Sequence, residues 1–184
     1  SKVTTPLLYY ISAYLCTNLG AFAVVALVRN LTGSEEMQAY RGLLKRSPLL
    51  AITLTVSLLS LLGLPPLAGF AAKFQVFAVL YEASREIAKI DSFFGYIYSG
   101  LLVAVALNTA ISAGYYLRLV KTMILDEPEG EALPVSFPTR AYVAILAGFV
   151  VALGILWNPL THVAKQAGQS FEQEPKLISE ARPR

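Results

Sequence analysis

The chain has 184 residues, 55% apolar and only 15% charged, with a mean hydropathy of +0.57 and a formal net charge of +3. That balance describes a membrane protein, and a small, scattered positive charge argues against a nucleic-acid partner. One cysteine (Cys16) and one histidine (His162), far apart, can build neither a disulfide framework nor a Cys/His metal site.

The apolar runs predict an all-α fold, a polytopic transmembrane helix bundle forming one membrane domain. Four spans are expected, about 6–28, 48–81, 93–119 and 141–157, followed by a polar tail, 161–184. The chain starts on Ser1 and turns apolar almost at once, over a stretch too long and too polar-flecked for a signal peptide. The expectation is the C-terminal part of a longer protein.

The first span carries Tyr10, Tyr14 and Thr17 on one helical stripe, beside Asn18 and Gly20. Such a stripe is expected to face other helices, where packing and interhelical hydrogen bonds account for it. In the connection 29–47, Thr32 and Glu35 have capping-box spacing, which predicts a short surface helix through about Leu44.

The second span holds the most informative stretch, GLPPLAGFAAKFQVF at 63–77. As a single helix, 48–81 would be roughly 50 Å long, against a bilayer core of about 30 Å. Pro65 and Pro66 supply no amide hydrogen and disfavour helical geometry in their neighbours. The span is therefore expected to break at Gly63, Pro65, Pro66 and Gly69. The carbonyls freed there need partners from packed protein or a watery cavity. Lys73 follows the break and is the only charged residue between Arg46 and Glu82. An ionisable side chain at that depth marks a functional site, with snorkelling to the headgroups as the bland alternative. Upstream, Thr53, Ser57 and Ser60 form a stripe that would either bond back to its own helix or hold water at the break.

Residues 82–92 are short and charged, and predict a surface connection. The third span has Asn108, Ser112 and Tyr115 on a stripe, with Tyr116 next to it, as candidate hydrated neighbours of Lys73. Ala104, Ala106, Ala110, Ala113 and Gly114 would permit close helix approach, and Arg118 and Lys121 would serve the helix C-terminus. The connection 122–140 is acidic and proline-punctuated, hence irregular. The fourth span has no polar side chain after Tyr142 and is expected to be the most lipid-exposed, ending at Trp157 and Asn158-Pro159. Seven Lys and Arg flank the side holding 29–47 and 118–140 (Arg29, Arg41, Lys45, Arg46, Arg118, Lys121, Arg140), against five on the other (Lys2, Arg85, Lys89, Lys165, Lys176). The small excess favours the first side as the cytoplasmic one, which is the expected orientation.

SLLGLPPLAGFAAKFQVF at 60–77 resembles the twelfth-helix signature of the antiporter-like membrane subunits of respiratory complex I. YYISAYLCTNLGAFAVVALV at 9–28, AYRGLLKRSPLL at 39–50 and SAGYYLRLVKTMIL at 112–125 agree in order and spacing. The likeness is closest to NADH-quinone oxidoreductase subunit N, called subunit 2 in mitochondria, because Tyr14, Cys16 and Asn18 stand where sister subunits and antiporters often have histidine or lysine. Ala71-Ala72 departs from a more usual Ile-Gly. The resemblance implies redox-driven proton translocation by the enzyme NADH:quinone oxidoreductase, with Lys73 as an intramembrane proton relay and no catalytic redox chemistry in this chain. It implies no cofactor or metal here, with NADH, FMN, iron–sulfur clusters and quinone in partner subunits. Expected partners are the lipid bilayer and other membrane subunits of complex I, antiporter-like subunit M and small subunit K as neighbours. The expected location is the bacterial inner membrane. A multisubunit cation/proton antiporter and a purely structural scaffold are the alternatives.

Overall fold

A computed structural model describes residues 4–156. Among these residues every regular element is a helix: α1 (Thr4–Thr32), α2 (Leu43–Arg46), α3 (Pro48–Leu62), α4 (Ala68–Ile90), α5 (Ser92–Leu125) and α6 (Phe137–Ile155), with a 3-10 turn at Met37–Tyr40. By length and composition, α1, α5 and α6 can each cross a membrane. At 15 residues, α3 is roughly 22 Å long and spans a ~30 Å core only together with α4. The second span is thus broken between Leu62 and Ala68, and the Pro65–Pro66 peptide bond is cis.

Pro48 starts α3 at its first turn, where the missing N–H costs nothing. Gly63 ends it with φ +91°, a left-handed cap that disfavours any side chain. Gly63 donates to the Ser60 carbonyl (2.9 Å) and Leu64 to the Leu59 carbonyl (3.1 Å). The chain then returns so closely that a Cβ on Gly69 would sit 1.8 Å from the Ser60 carbonyl oxygen. From the far side α6 presses on the same break, with Gly154 against the backbone of Pro66 and Leu67. Tyr9 of α1 fixes α6 there, its hydroxyl donating to the Leu153 carbonyl at 2.6 Å.

Two apolar clusters hold the helices. Tyr9, Ala13, Ala68, Ala71, Ala72 and Val150 pack at the break. Larger side chains, among them Val24, Leu43, Leu50, Leu54, Met123 and Val143, pack toward the end carrying the 29–47 and 126–136 segments. Those segments are tied together, with Gly42 N–H on the Thr122 carbonyl and Leu133 N–H on the Arg46 carbonyl, both at 3.1 Å. Arg41 pairs with Glu129, and Lys45 with Glu127 at 2.9 Å. The basic first connection and the acidic second one therefore lie on one side of the bundle and offset each other.

Several expectations give way. Thr32 does not start a surface helix. It ends α1, donating to the Val28 carbonyl at 2.8 Å, while Glu35 pairs with Arg29. The connection expected at 82–92 shrinks to Asp91. Glu86 and Lys89 pair one helical turn apart within α4, and Asp91 caps α5 by accepting from Phe93 N–H at 2.8 Å. The most exposed helix is α5 rather than α6: only Gly95, Thr122 and Met123 are buried along its 34 residues, against Val143, Val150 and Gly154 over 19 in α6. Over its 19 residues α6 packs on α1, α3 and α4, whereas the 34 residues of α5 pack mainly on α4 and α3. Gly100 and Gly114 of α5 meet nothing within 4 Å. Of the α3 stripe, Thr53 reaches the Val143 carbonyl (3.4 Å) and Ser57 packs against Gly20, so both face other helices. Trp157, His162 and the tail 161–184 lie outside the described residues.

Candidate functional site: a lysine at the helix break

The cap on α3 satisfies the carbonyls of Leu59 and Ser60. The next two, Leu61 and Leu62, would in a continuing helix accept from residues 65 and 66, and both are prolines without an N–H. Lys73 supplies the missing donors. Its Nζ donates to the Leu61 carbonyl at 2.9 Å and to the Leu62 carbonyl at 3.3 Å, with Thr109 Oγ1 at 3.5 Å. The ammonium thus sits at the C-terminal end of α3, where the helix dipole favours a cation. No carboxylate pairs with it among the described residues, and the side chain is half-buried.

Ser60, fully buried, holds the two half-helices in register. Its Oγ accepts from Gly69 N–H in the first turn of α4 (3.0 Å) and lies 3.2 Å from Thr17 Oγ1, which donates to the Ala13 carbonyl. Lys73 follows Gly69 by one turn on the same face of α4, so this bond also places its side chain.

A cavity of about 300 Å³ opens beside Lys73, room for several water molecules at ~30 Å³ each. Helix α1 contributes Tyr10, Tyr14, Thr17 and Asn18, with the two tyrosine rings stacked at 6.0 Å. Ser60 and Leu61 come from α3, Gly69 and Lys73 from α4, and Asn108, Thr109, Ser112 and Tyr116 from α5. The walls offer hydroxyls, amides and phenols, groups that can order water next to an amine.

The structure brings together Lys73, Gly69, Ser60, Asn108, Ser112 and Tyr116 of the residues expected from the sequence. Gly63 backs the Lys73 side chain, its missing Cβ lying 3.1 Å from Lys73 Cδ. Pro65 and Pro66 form the break and stay exposed, outside the cavity lining. Tyr115 is 71% exposed and outside the lining; Tyr116 stands in its place. The cavity-facing line of α5 runs through Val105, Thr109, Ser112 and Tyr116, which turns Tyr115 about 100° away. Sequence reading missed Thr109 for the same reason. The α1 stripe lines the cavity besides packing. Arg118 and Lys121 make no hydrogen bond to the last carbonyls of α5 among the described residues. No group of three His, Cys, Asp or Glu able to hold a metal ion occurs among those residues either.

The family described as NADH:quinone oxidoreductase/Mrp antiporter, TM, matches residues 3–99, which include α1, the break and Lys73. The chain belongs to this family. Within the NADH:quinone oxidoreductase/Mrp antiporter family, it is 41% identical over 166 residues to NADH-quinone oxidoreductase subunit N of Anaeromyxobacter sp. (strain Fw109-5), covering 88% of this chain and 31% of the relative. It is 37% identical over 183 residues to NAD(P)H-quinone oxidoreductase subunit 2 of Synechococcus sp. (strain JA-3-3Ab), covering 93% and 32%. Among solved structures, a chain of respiratory complex I from Thermus thermophilus with bound aureothin matches with a TM-score of 0.65 and 31% identity, over 86% of this chain and 34% of that one. The chain spans about a third of the length of the curated relatives it matches. Family membership makes it a multi-pass membrane protein, and the helical bundle is the corresponding fold.

Proposed function

We propose that the protein is a proton-translocating membrane subunit of an NADH-quinone oxidoreductase, with Lys73 as a relay for protons inside the bilayer. The observation that carries this reading is the partnership of the Lys73 amine with two carbonyls left open by Pro65 and Pro66, beside a polar cavity. As ammonium, Lys73 caps α3. On releasing its proton to water or a neighbouring group it becomes a neutral amine that can still donate to a carbonyl, and no opposite charge is stranded. A charge that appears or disappears on a neighbouring group would bias whether the amine holds its proton. Thr109, Asn108 and Ser112 would order the water that carries the proton.

In this reading the chain performs no redox chemistry. NADH, FMN, iron–sulfur clusters and quinone belong to partner subunits, with antiporter-like subunit M and small subunit K as membrane neighbours in the bacterial inner membrane. The family description also covers cation/proton antiporters, but relatives named for quinone oxidoreduction, similar over nearly all of this chain, favour the respiratory role.

The test is Lys73→Met in the full-length protein within its native complex, with electron transfer and proton uptake measured side by side. Proton translocation is expected to fall at least roughly tenfold, about 1.4 kcal/mol in barrier, with assembly intact. Unchanged proton uptake would sink the relay, and loss of assembly alone would favour a scaffold.

A further inference from the structure

A second charged site lies apart from Lys73, at the C-terminal end of α5. Arg118 and Lys121 of α5 line a cavity of about 460 Å³ together with Arg41, with Asp126 as its one acidic residue. Arg41 is engaged by Glu129 through one guanidinium nitrogen. Its Nε is buried without a hydrogen bond, 3.8 Å from Asp126 Oδ2. Arg118 and Lys121 make neither ion pair nor side-chain hydrogen bond among the described residues. Arg41 is paired with Glu129 and with Asp126, which leaves Arg118 and Lys121, among the described residues, as the lining cations open to a ligand.

The apolar surroundings narrow the ligand class. Residues 118, 121, 122 and 125 fall on one face of α5. Leu125 on that face is 71% exposed, and Met37 in the cavity wall is 41% exposed. A cationic pocket near two exposed apolar side chains suits a molecule with an anionic head and a hydrocarbon tail. The same end carries more Lys and Arg than the other and is expected to be the cytoplasmic one, where clustered cations beside a membrane helix suit anionic headgroups. From this geometry we infer that Arg118 and Lys121, backed by Arg41, bind the phosphate of an anionic phospholipid whose acyl chains lie along Leu125 and Met37.

The test uses the full-length protein in its native complex, purified in detergent, with thermal unfolding followed as phosphatidylglycerol, phosphatidylcholine or inorganic phosphate is added. Phosphatidylglycerol is expected to raise the midpoint more than phosphatidylcholine does. The Arg118→Gln/Lys121→Gln double variant should keep the lipid-free midpoint. It should need roughly 30-fold more phosphatidylglycerol for the same rise, about fivefold for each cation removed. Lys121→Gln alone should need about fivefold more, and the charge-conserving Arg118→Lys/Lys121→Arg variant should respond as the parent does. Equal responses of parent and double variant, or equal effects of the two lipids, would overturn the site. A matching rise with inorganic phosphate alone would overturn the lipid assignment and leave a free-anion site.

Discussion

The bundle meets its cations in two different ways. At the connection end, Lys45 pairs with Glu127 through exposed side chains, and the part-buried Arg41 pairs with Glu129. At the break, Lys73 meets, among the described residues, two carbonyl oxygens and a threonine hydroxyl. A carboxylate partner fixes a charge in place, because removing the cation's proton leaves the anion behind. A carbonyl partner accepts a hydrogen bond from either form of the amine. On the proposed relay reading, the contrast separates a fastening from a site for repeated proton exchange, with little rigidity needed in the exposed pairs and much at the break.

The largest stability effect should come from Gly69→Ala. The new Cβ would overlap the Ser60 carbonyl oxygen, and backbone rather than a flexible side chain must yield. A loss of about 3 kcal/mol or more is expected, read by chemical unfolding of the full-length protein in detergent. Tolerance within 1 kcal/mol on the order of ordinary surface changes would mean that the break is soft. Ser60→Ala comes next. It strands the Gly69 N–H and removes the contact to Thr17, for roughly 1–3 kcal/mol by the same measurement, and proton uptake should fall with it because Lys73 loses its register. Lys45→Gln should matter least, about 0.2–1 kcal/mol, and the difference from the parent should vanish in high salt. A larger, salt-insensitive loss would show that the connection end is as rigid as the break and would erase the contrast.

Much of the site was legible along the chain. The position of the break follows from Pro65 and Pro66, because a residue without an N–H cannot continue the ladder wherever it is placed. The need for donors at the preceding carbonyls follows from the same fact, and Lys73 is the one charged side chain nearby. The stripe on α5 was legible only in part: Asn108 and Ser112 face the cavity, but Tyr115 does not. A spacing pattern names a set of neighbours on a helix without saying which way the helix is turned. The short turn between α4 and α5 was hidden because Glu86 and Lys89, which look like a surface loop by composition, stabilise a helix by pairing one turn apart.

Sequence by itself determined an all-helical membrane bundle, where its second span breaks, and which amine stands beside the break. These rest on hydrophobicity and backbone chemistry, which are properties of neighbouring residues. Only the tertiary structure decided that Lys73 reaches Leu61 and Leu62, that Ser60 ties α4 to α3, that Thr109 and Tyr116 rather than Tyr115 face the cavity, and that α5 rather than α6 stays uncovered. Each depends on how a helix is rotated about its axis and which neighbour fills the space beside it, and residues far apart in the chain set both together.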